Sequence, residues 1–295
     1  MSKIAHIKRR IKSVKNTRQI TKAMQLVAAS KMKRAQDRAL AGRDYALLLA
    51  RMMHVAISHS DEVRHPMMER REVKTRGILT ITTDKGLCGA LNANLYRLLS
   101  QIQGDCKFVN VGRKGKQYLS RTGRNLVADF QVSDKAQYAE VRPIVEFMVK
   151  AFLDGEIDTV EIAFPRFINT MVQEPRLIKI LPIVDLQDCL DQLRLKDEED
   201  TLEMTHDDRE IKYEPDVASI LEELPILFVK QQIHQFILSA KASEHSARMV
   251  AMKSATDNAS TLVDSLTLKF NKARQAAITQ EILEIAAATA SNSGK

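Results

Sequence analysis

ILFVKQQIHQFILSAKASEHSARMVAMKSATDNASTLVDSLTLKFNKARQAAITQEILEIAAATASNS, residues 226–293, contains neither glycine nor proline. Those two residues disfavour helical backbone most strongly, so nothing in the stretch interrupts a helix. At the opposite end, residues 1–65 hold no proline and a single glycine, Gly42. Each end is therefore free to be one long helix. At ~1.5 Å per residue such helices run roughly 85 to 100 Å, about twice or more the diameter of a domain built from a chain of this length. Most of that length cannot be buried in its own globule, and two such ends, paired, make a shaft.

The spacing of apolar residues predicts the pairing. Ile4, Ile7, Ile11 and Val14 alternate 3-4-3, and the pattern then shifts phase to Ile20, Met24 and Val27. The C-terminal stretch places Val229, Ile233, Phe236, Ala240, Ser243, Ala247, Val250 and Ser254 at alternating steps of four and three. Two seams of this period predict a left-handed coiled coil. It is expected to be antiparallel, because both helices join the same middle segment. Ser2 is placed to cap the first helix. Ser219 and Glu222 have capping-box spacing at the start of the second, where Pro225 requires a first-turn kink or a restart. Ala240, Ser243, Ala247 and Ser254 are small, so little apolar area holds the pair, and support from surrounding subunits is expected. Beyond Asp257 the phase changes again. The end, Ile278, Ile282, Leu283, Ile285 and Ala286 to Ala288, is apolar or small, which calls for an apolar socket.

All seven prolines and eight of the ten glycines lie between Pro66 and Pro225. There the pattern predicts alternating strands and helices: a strand over 77–83, helix 90–102, strand 107–111, helix 114–121 and strand 125–130. A helix with Tyr138, Val141, Val145, Met148 and Phe152 on one face follows, then a strand over 159–164 and an edge strand, antiparallel, over 176–181. Alternation of this length predicts a parallel-type, Rossmann-like sheet covered by helices. The expected division is an N-terminal shaft helix over 1–60, an α/β foot domain over 73–190, an exposed charged loop over 191–215 and a C-terminal shaft helix over 216–290.

Composition agrees with a folded, helix-rich, soluble protein: 44% hydrophobic, 28% charged and 5% aromatic, without tryptophan. No apolar run approaches the ~20 residues that span a bilayer, and there is no apolar signal core. Cys88, Cys106 and Cys189 have no metal-ligand spacing and read as free thiols in a reducing compartment. Net charge is +8, and the first 38 residues carry twelve lysines and arginines against one acid, Asp37. Such an arm suits nucleic acid, an anionic membrane surface or an acidic protein partner. With no aromatic residue before Tyr45, nucleic acid is the poorer fit.

A Rossmann-like middle raises the question of a nucleotide at the strand ends. The chemistry for one is missing. There is no GxGxxG, and Gly112-Arg113-Lys114-Gly115-Lys116 lacks phosphate-loop spacing. The turn Asp84 to Asn92 follows a strand and opens a helix, yet carries no hydroxyl to hold magnesium. The seven histidines form no metal spacing, and His245 reads as packed or solvated. No catalytic residue, cofactor or metal is expected.

Five segments, in order, resemble one family. They are Ile11 to Met32, the loop Asp84 to Asn92, Tyr213-Glu214-Pro215, Ala247 to Lys253, and Asn271 to Glu281. Together they are similar to the gamma subunit of F-type ATP synthase, bacterial type. One departure is Ala286-Ala287-Ala288-Thr289, where the family often has a glycine near position 288. The resemblance implies a central rotor shaft standing inside a ring of three alpha and three beta subunits, with chemistry on the beta subunits. It implies an α/β foot on the epsilon subunit and the membrane c ring, at the cytoplasmic face of the bacterial inner membrane. By motif matching, Arg248, Gln275, Thr279 and Met24 resemble residues that engage beta subunits, which makes the basic arm's partner an acidic protein rather than nucleic acid. Lys85, Gly86, Leu87, Cys88, Tyr213 and Glu214 resemble residues near epsilon and the c ring. The start at Met1 leaves no room for a transit peptide, and the paired regulatory cysteines of the chloroplast form are missing, so redox gating by that device is not expected.

Overall fold

The computed structural model describes residues 2–58, 65–183 and 217–292, with side chains described at 4–53, 65–183 and 222–286. Helix α1, Ser2–Ser58, and helix α5, Val217–Asn292, occupy the two ends. Between them come β1 Thr75–Ile81, α2 Leu91–Ser100, β2 Asp105–Val111, α3 Arg113–Arg121, β3 Leu126–Phe130, α4 Tyr138–Leu153, β4 Thr159–Phe167 and β5 Gln173–Leu181. The expected 191–215 loop lies outside the described residues.

The strands form one sheet in the order β3-β2-β1-β4-β5, with β1 parallel to both β2 and β4, β2 parallel to β3, and β5 antiparallel to β4 at the edge. The period of two is visible in where the side chains go. Ile78 and Phe108 face a core shared with Leu95 and Leu99 of α2 and Leu119 of α3. Leu79, Ile81, Val109 and Val111 face a larger core on the other side, built with α4, α5 and the end of α1. On α4 the buried face is Val141, Ile144, Val145, Met148 and Phe152; Tyr138, expected on that face, is 44% exposed at the first turn. Gly112, at φ 99°, sits where a side chain would run into the carbonyl of Thr82, so glycine is required there.

Two compact units make up the chain: Ala28–Arg248, and Met1–Val27 with Met249–Lys295. In the first, α5 is not one half of a two-helix seam, as the spacing suggested. From Phe228 to Ser246 nearly every residue is buried, polar ones included. Phe236 stacks on Phe164 of β4 at 4.7 Å, the backbone N–H of Phe167 donates to Ser239 Oγ, and Gln231 Nε2 donates to the carbonyl of Gly42 on α1. Sheet and α1 thus enclose α5 from different sides. Lys31 lies near His245 while Gly42 lies against Gln231, so α1 and α5 run antiparallel. Ser219 falls inside α5 rather than at its cap, and the helix continues through Pro225 without a restart. The proline ring removes one backbone donor, a cost of ~3 kcal/mol that the burial of Leu224, Phe228 and Val229 offsets.

In the second unit the helices bury one stripe each. On α1 it comprises Ile4, Ile7, Ile11, Val14, Arg18, Thr21 and Gln25, an unbroken alternation of three and four with no phase shift. Ile20 and Val27, assigned to the seam from their apolarity, are 60% and 55% exposed. On α5 the stripe is Met252, Thr256, Ala259, Val263, Leu266, Phe270, Ala273 and Ala277, again at steps of four and three, while Ser254 is exposed. The reason is steric. Small and hydroxyl side chains let the backbones approach, and the Thr256 hydroxyl donates to that of Thr21 at 2.8 Å, which satisfies groups that an apolar reading places outside.

This register makes a direct comparison possible. Leu266→Ala, at a buried seam position, is expected to destabilise the chain by ~2–3 kcal/mol, whereas Leu268→Ala, two residues on, should change stability by ~0.5 kcal/mol or less. Urea denaturation of both variants checks it, and equal costs would contradict the seam.

Candidate functional site

The loop after β1 is fixed from within before anything else touches it. Thr83 Oγ1 donates to the carbonyl of Lys85 at 2.8 Å, and Asn92 Nδ2 donates to Thr83 Oγ1 at 2.7 Å and to Cys88 Sγ at 3.6 Å. Between these anchors Leu87 adopts a left-handed backbone, φ 62°, with 61% of its surface exposed. A leucine there costs roughly 1–2 kcal/mol and persists only where the surroundings over-determine it.

Arg248 supplies the outer half of that constraint. Its Nε donates to the carbonyl of Gly86 at 3.3 Å and its Nη2 to that of Lys85 at 3.1 Å, while Nη2 also reaches Glu244 Oε1 at 2.8 Å. Lys241 Nζ lies 3.8 Å from Asp84 and 3.7 Å from Glu244. Lys241, Glu244, His245 and Arg248 are all buried, one turn apart on α5. Beside them, Lys31 of α1 pairs with Asp134 at 2.6 Å, and Asp134 lies 3.4 Å from His245 Nε2.

Burial and neighbouring charges set the titration of His245 and Asp134. Desolvation pushes the His245 ring below its ordinary range, and Arg248 and Lys31 add to that effect, whereas Glu244 and Asp134 oppose it. Burial alone would raise the Asp134 carboxyl. The hydrogen bond from Lys31 and the surrounding cations bring it below the usual carboxylate value instead. Desolvation pushes the Cys88 thiol up, which leaves it a poor nucleophile near neutrality; it and Cys106 are buried free thiols.

The strand ends where a nucleotide would sit in this kind of sheet are occupied by the chain's own groups. The first-turn amides of α3 donate inward: Arg113 N to Asp84 Oδ1, Lys114 N to the carbonyl of Thr83, and Gly115 N to Thr82 Oγ1. Among the described residues no group of three or more acidic, histidine or cysteine side chains could hold a metal, and no helix is long and apolar enough to cross a membrane.

The expected site residues therefore separate. Arg248, expected to make a charge-assisted contact with a surrounding subunit, has its guanidinium engaged within its own chain by Glu244, Lys85 and Gly86. It and the Lys85–Cys88 loop, assigned to different partners, are one site. Met24, Gln275 and Thr279 belong to the other unit: Met24 is half-buried, Gln275 and Thr279 are exposed, and Thr279 Oγ1 donates back to the carbonyl of Gln275. Ile278, Ile282, Leu283 and Ile285 are 48–68% exposed along the same stretch. Tyr213, Glu214 and Cys189 lie outside the described residues. Sequence reasoning missed Lys241, Glu244 and Asp134. The available signal was the i, i+4 pairing of Glu244 with Arg248 in an otherwise small and apolar stretch.

Residues 3–291 match the model of the family described as ATP synthase. The ATP synthase gamma chain of Opitutus terrae is 54% identical over 288 residues, covering 98% of each chain. The chain belongs to the ATP synthase gamma-chain family. A second gamma chain, from Methylacidiphilum infernorum, is 42% identical over 98% of both chains. Among solved structures, a chain of the Euglena gracilis mitochondrial ATP synthase, described as OSCP/F1/c-ring, has the same fold at a TM-score of 0.69 and 18% identity, covering 98% of this chain and 94% of that one. A chain of the Tetrahymena thermophila central stalk and c ring matches at 0.56 and 23% identity, covering 80% of this chain and 99% of that one. Within this gamma-chain fold, the two longest helices carry both the clamp on the loop and the exposed apolar end.

Arg248→Ala is expected to cost ~3 kcal/mol by leaving the buried Glu244 with only the longer Lys241 contact at 3.7 Å, and to speed amide exchange across 85–88; Arg248→Lys, with one point charge, should recover only part. Retention of the loop's protection in Arg248→Ala would show that the clamp is not needed. Stability should also decline as pH falls below ~6.5, because the unfolded His245 then binds a proton that the buried ring resists. His65, lowered by desolvation and accepting from Met67 N at Nδ1, acts in the same direction. Urea midpoints between pH 8 and 5.5 check this, and His245→Gln should flatten the decline without abolishing it.

Proposed function

We propose that this chain is the central rotor stalk of an F-type ATP synthase, turning inside an alpha3beta3 ring and resting on the epsilon subunit and the membrane c ring. The observation that carries the reading is full-length identity of 54% to an ATP synthase gamma chain. The antiparallel helices, with a buried stripe on one side and exposed Ile278 and Ile282, agree with it: an apolar end of this kind suits an apolar lining. In this role the chain binds no nucleic acid, uses no cofactor and holds no catalytic site of its own. It is a peripheral protein on the cytoplasmic face of a bacterial inner membrane, joining ion transport through the c ring to ATP synthesis or hydrolysis on the beta subunits.

The mechanics follow from symmetry and linkage. One asymmetric pair of helices inside a three-fold ring offers a different face to each catalytic subunit. Rotation transmits free energy only through contacts that differ between the open and closed forms of those subunits. Gln275, Thr279 and Met24 are proposed to make such contacts with the beta subunits. Arg248 acts there as a positioning residue, holding Lys85, Gly86, Leu87 and Cys88 in a fixed shape. That loop, Lys85 to Cys88, is proposed to meet epsilon and the c ring. Tyr213 and Glu214 are assigned to epsilon and the c ring.

Co-expression with alpha and beta subunits tests the proposal. The chain should co-purify with them as one copy per three-fold ring. Gln275→Ala should leave that assembly intact and lower its ATP hydrolysis ~3- to 10-fold, a loss of roughly 1 kcal/mol in transition-state terms. Failure to enter the ring would overturn the rotor assignment, and unchanged hydrolysis would remove Gln275 from the contact set.

A further inference from the structure

His245 is 2% exposed, and its two ring nitrogens face opposite charges. Nδ1 lies 3.4 Å from Arg248 Nη1, while Nε2 lies 3.4 Å from Asp134 Oδ1 without forming a hydrogen bond. A guanidinium has no acceptor, so Nη1 donates and Nδ1 must present its lone pair. That fixes the ring as the neutral tautomer with its proton on Nε2, toward Asp134. Neutrality also suits the surroundings. Among the side chains paired in this cluster, Lys31 of α1 and Lys241 and Arg248 of α5 are balanced by Asp84 of the β1–α2 loop, Asp134 of the β3–α4 connection and Glu244 of α5. Arg38 of α1, at the exposed side, donates to the backbone carbonyls of Asp134 and Lys135.

A proton on Nδ1 upsets this arrangement. It removes the acceptor for Arg248 Nη1 and sets two cations 3.4 Å apart in a buried cluster that has no carboxylate to spare. The bonds of Arg248 are not equally strong. Glu244 is an anion on the same helix at 2.8 Å, whereas Lys85 and Gly86 offer neutral carbonyls at 3.1 and 3.3 Å. Charge-assisted bonds are the stronger, so a displaced guanidinium keeps Glu244 and gives up the loop. The Lys85 carbonyl retains its bond from Thr83 Oγ1, but the Gly86 carbonyl loses its donor next to the left-handed Leu87.

We propose that His245 is a pH switch on the β1–α2 loop: its protonation drives Arg248 off the carbonyls of Lys85 and Gly86 and loosens Lys85 to Cys88. Desolvation, together with Arg248 and Lys31, keeps the ring neutral against the pull of Glu244 and Asp134. The loop is therefore held near neutrality and released as pH falls below the ~6.5 of an ordinary histidine. In the proposed rotor the same loop meets epsilon and the c ring, so acidification at that face loosens the joint. That consequence rests on the rotor reading; the release of the loop does not.

Hydrogen exchange of the full-length chain tests it, with each amide corrected for its intrinsic rate and followed over 85–88 and over strand β1. Between about pH 8 and about pH 5, protection across 85–88 should fall at least about fivefold while that of β1 falls less than about twofold, which separates local release from general destabilisation. In His245→Gln, whose amide oxygen accepts from Arg248 as the neutral ring does but binds no proton, the loop should keep its protection throughout. In Arg248→Ala the loop should exchange fast at both ends of the range, with no further loss in acid. Constant protection of the wild-type loop, an equal loss in β1, or an acid-dependent loss that survives in either variant overturns the proposal. No partner subunit is needed, so the result stands apart from whether the chain enters an ATPase ring.

Discussion

The antiparallel pairing of α1 with α5 is the constraint on which everything else in this molecule rests. Its two ends solve different packing problems with the same helices. In residues 28–248 the sheet and α1 close around α5, so apolar burial is extensive and helical propensity matters little. In the unit made from 2–27 and 249–292, among the described residues, each helix packs on its partner. Each buries a single stripe, in which isoleucine, valine and leucine alternate with alanine, threonine and a few polar residues, and the area that stabilises it is modest. A pair of this kind keeps its register by close approach and by specific bonds such as Thr21 to Thr256, not by bulk.

Enclosing α5 brings a cost, because Lys241, Glu244, His245 and Arg248 are carried into the interior with it. Each is tolerable only with a partner in place, and the partners come from three separate segments: the β1–α2 loop, the β3–α4 connection and α1. The network therefore ties the loop bearing Leu87 to the two long helices. A strained, exposed leucine held on both flanks is the arrangement expected of a surface that must keep one shape under load. Loss of Arg248 would weaken the compensation of the buried Glu244 most, since it makes the shorter of that carboxylate's two contacts.

For a protein that works by being turned, this division is mechanically sensible. The two-helix part presents a polar, asymmetric surface with Gln275 and Thr279 and an apolar end at Ile278 to Ile285. Energy reaches a neighbouring subunit only as a difference between contacts, so a rigid, unsymmetrical surface is what the task requires.

Much of this was legible in the chain itself. The glycine- and proline-free ends, the β/α alternation of 75–167, the antiparallel edge strand and the gamma-chain family were all determined by the sequence, because local propensity and period act over neighbouring residues. The stripe that turns inward was not, since Ile20 and Val27 are as apolar as any seam residue while Thr21 and Ala28 are the ones buried. Nor was the partner of Arg248, which lies about 160 residues away in the fold's loop at Lys85 and Gly86. Those outcomes belonged to the tertiary structure alone. Whether a small or charged side chain is buried depends on which distant groups close over it, and that is fixed only when the helices and the sheet have met.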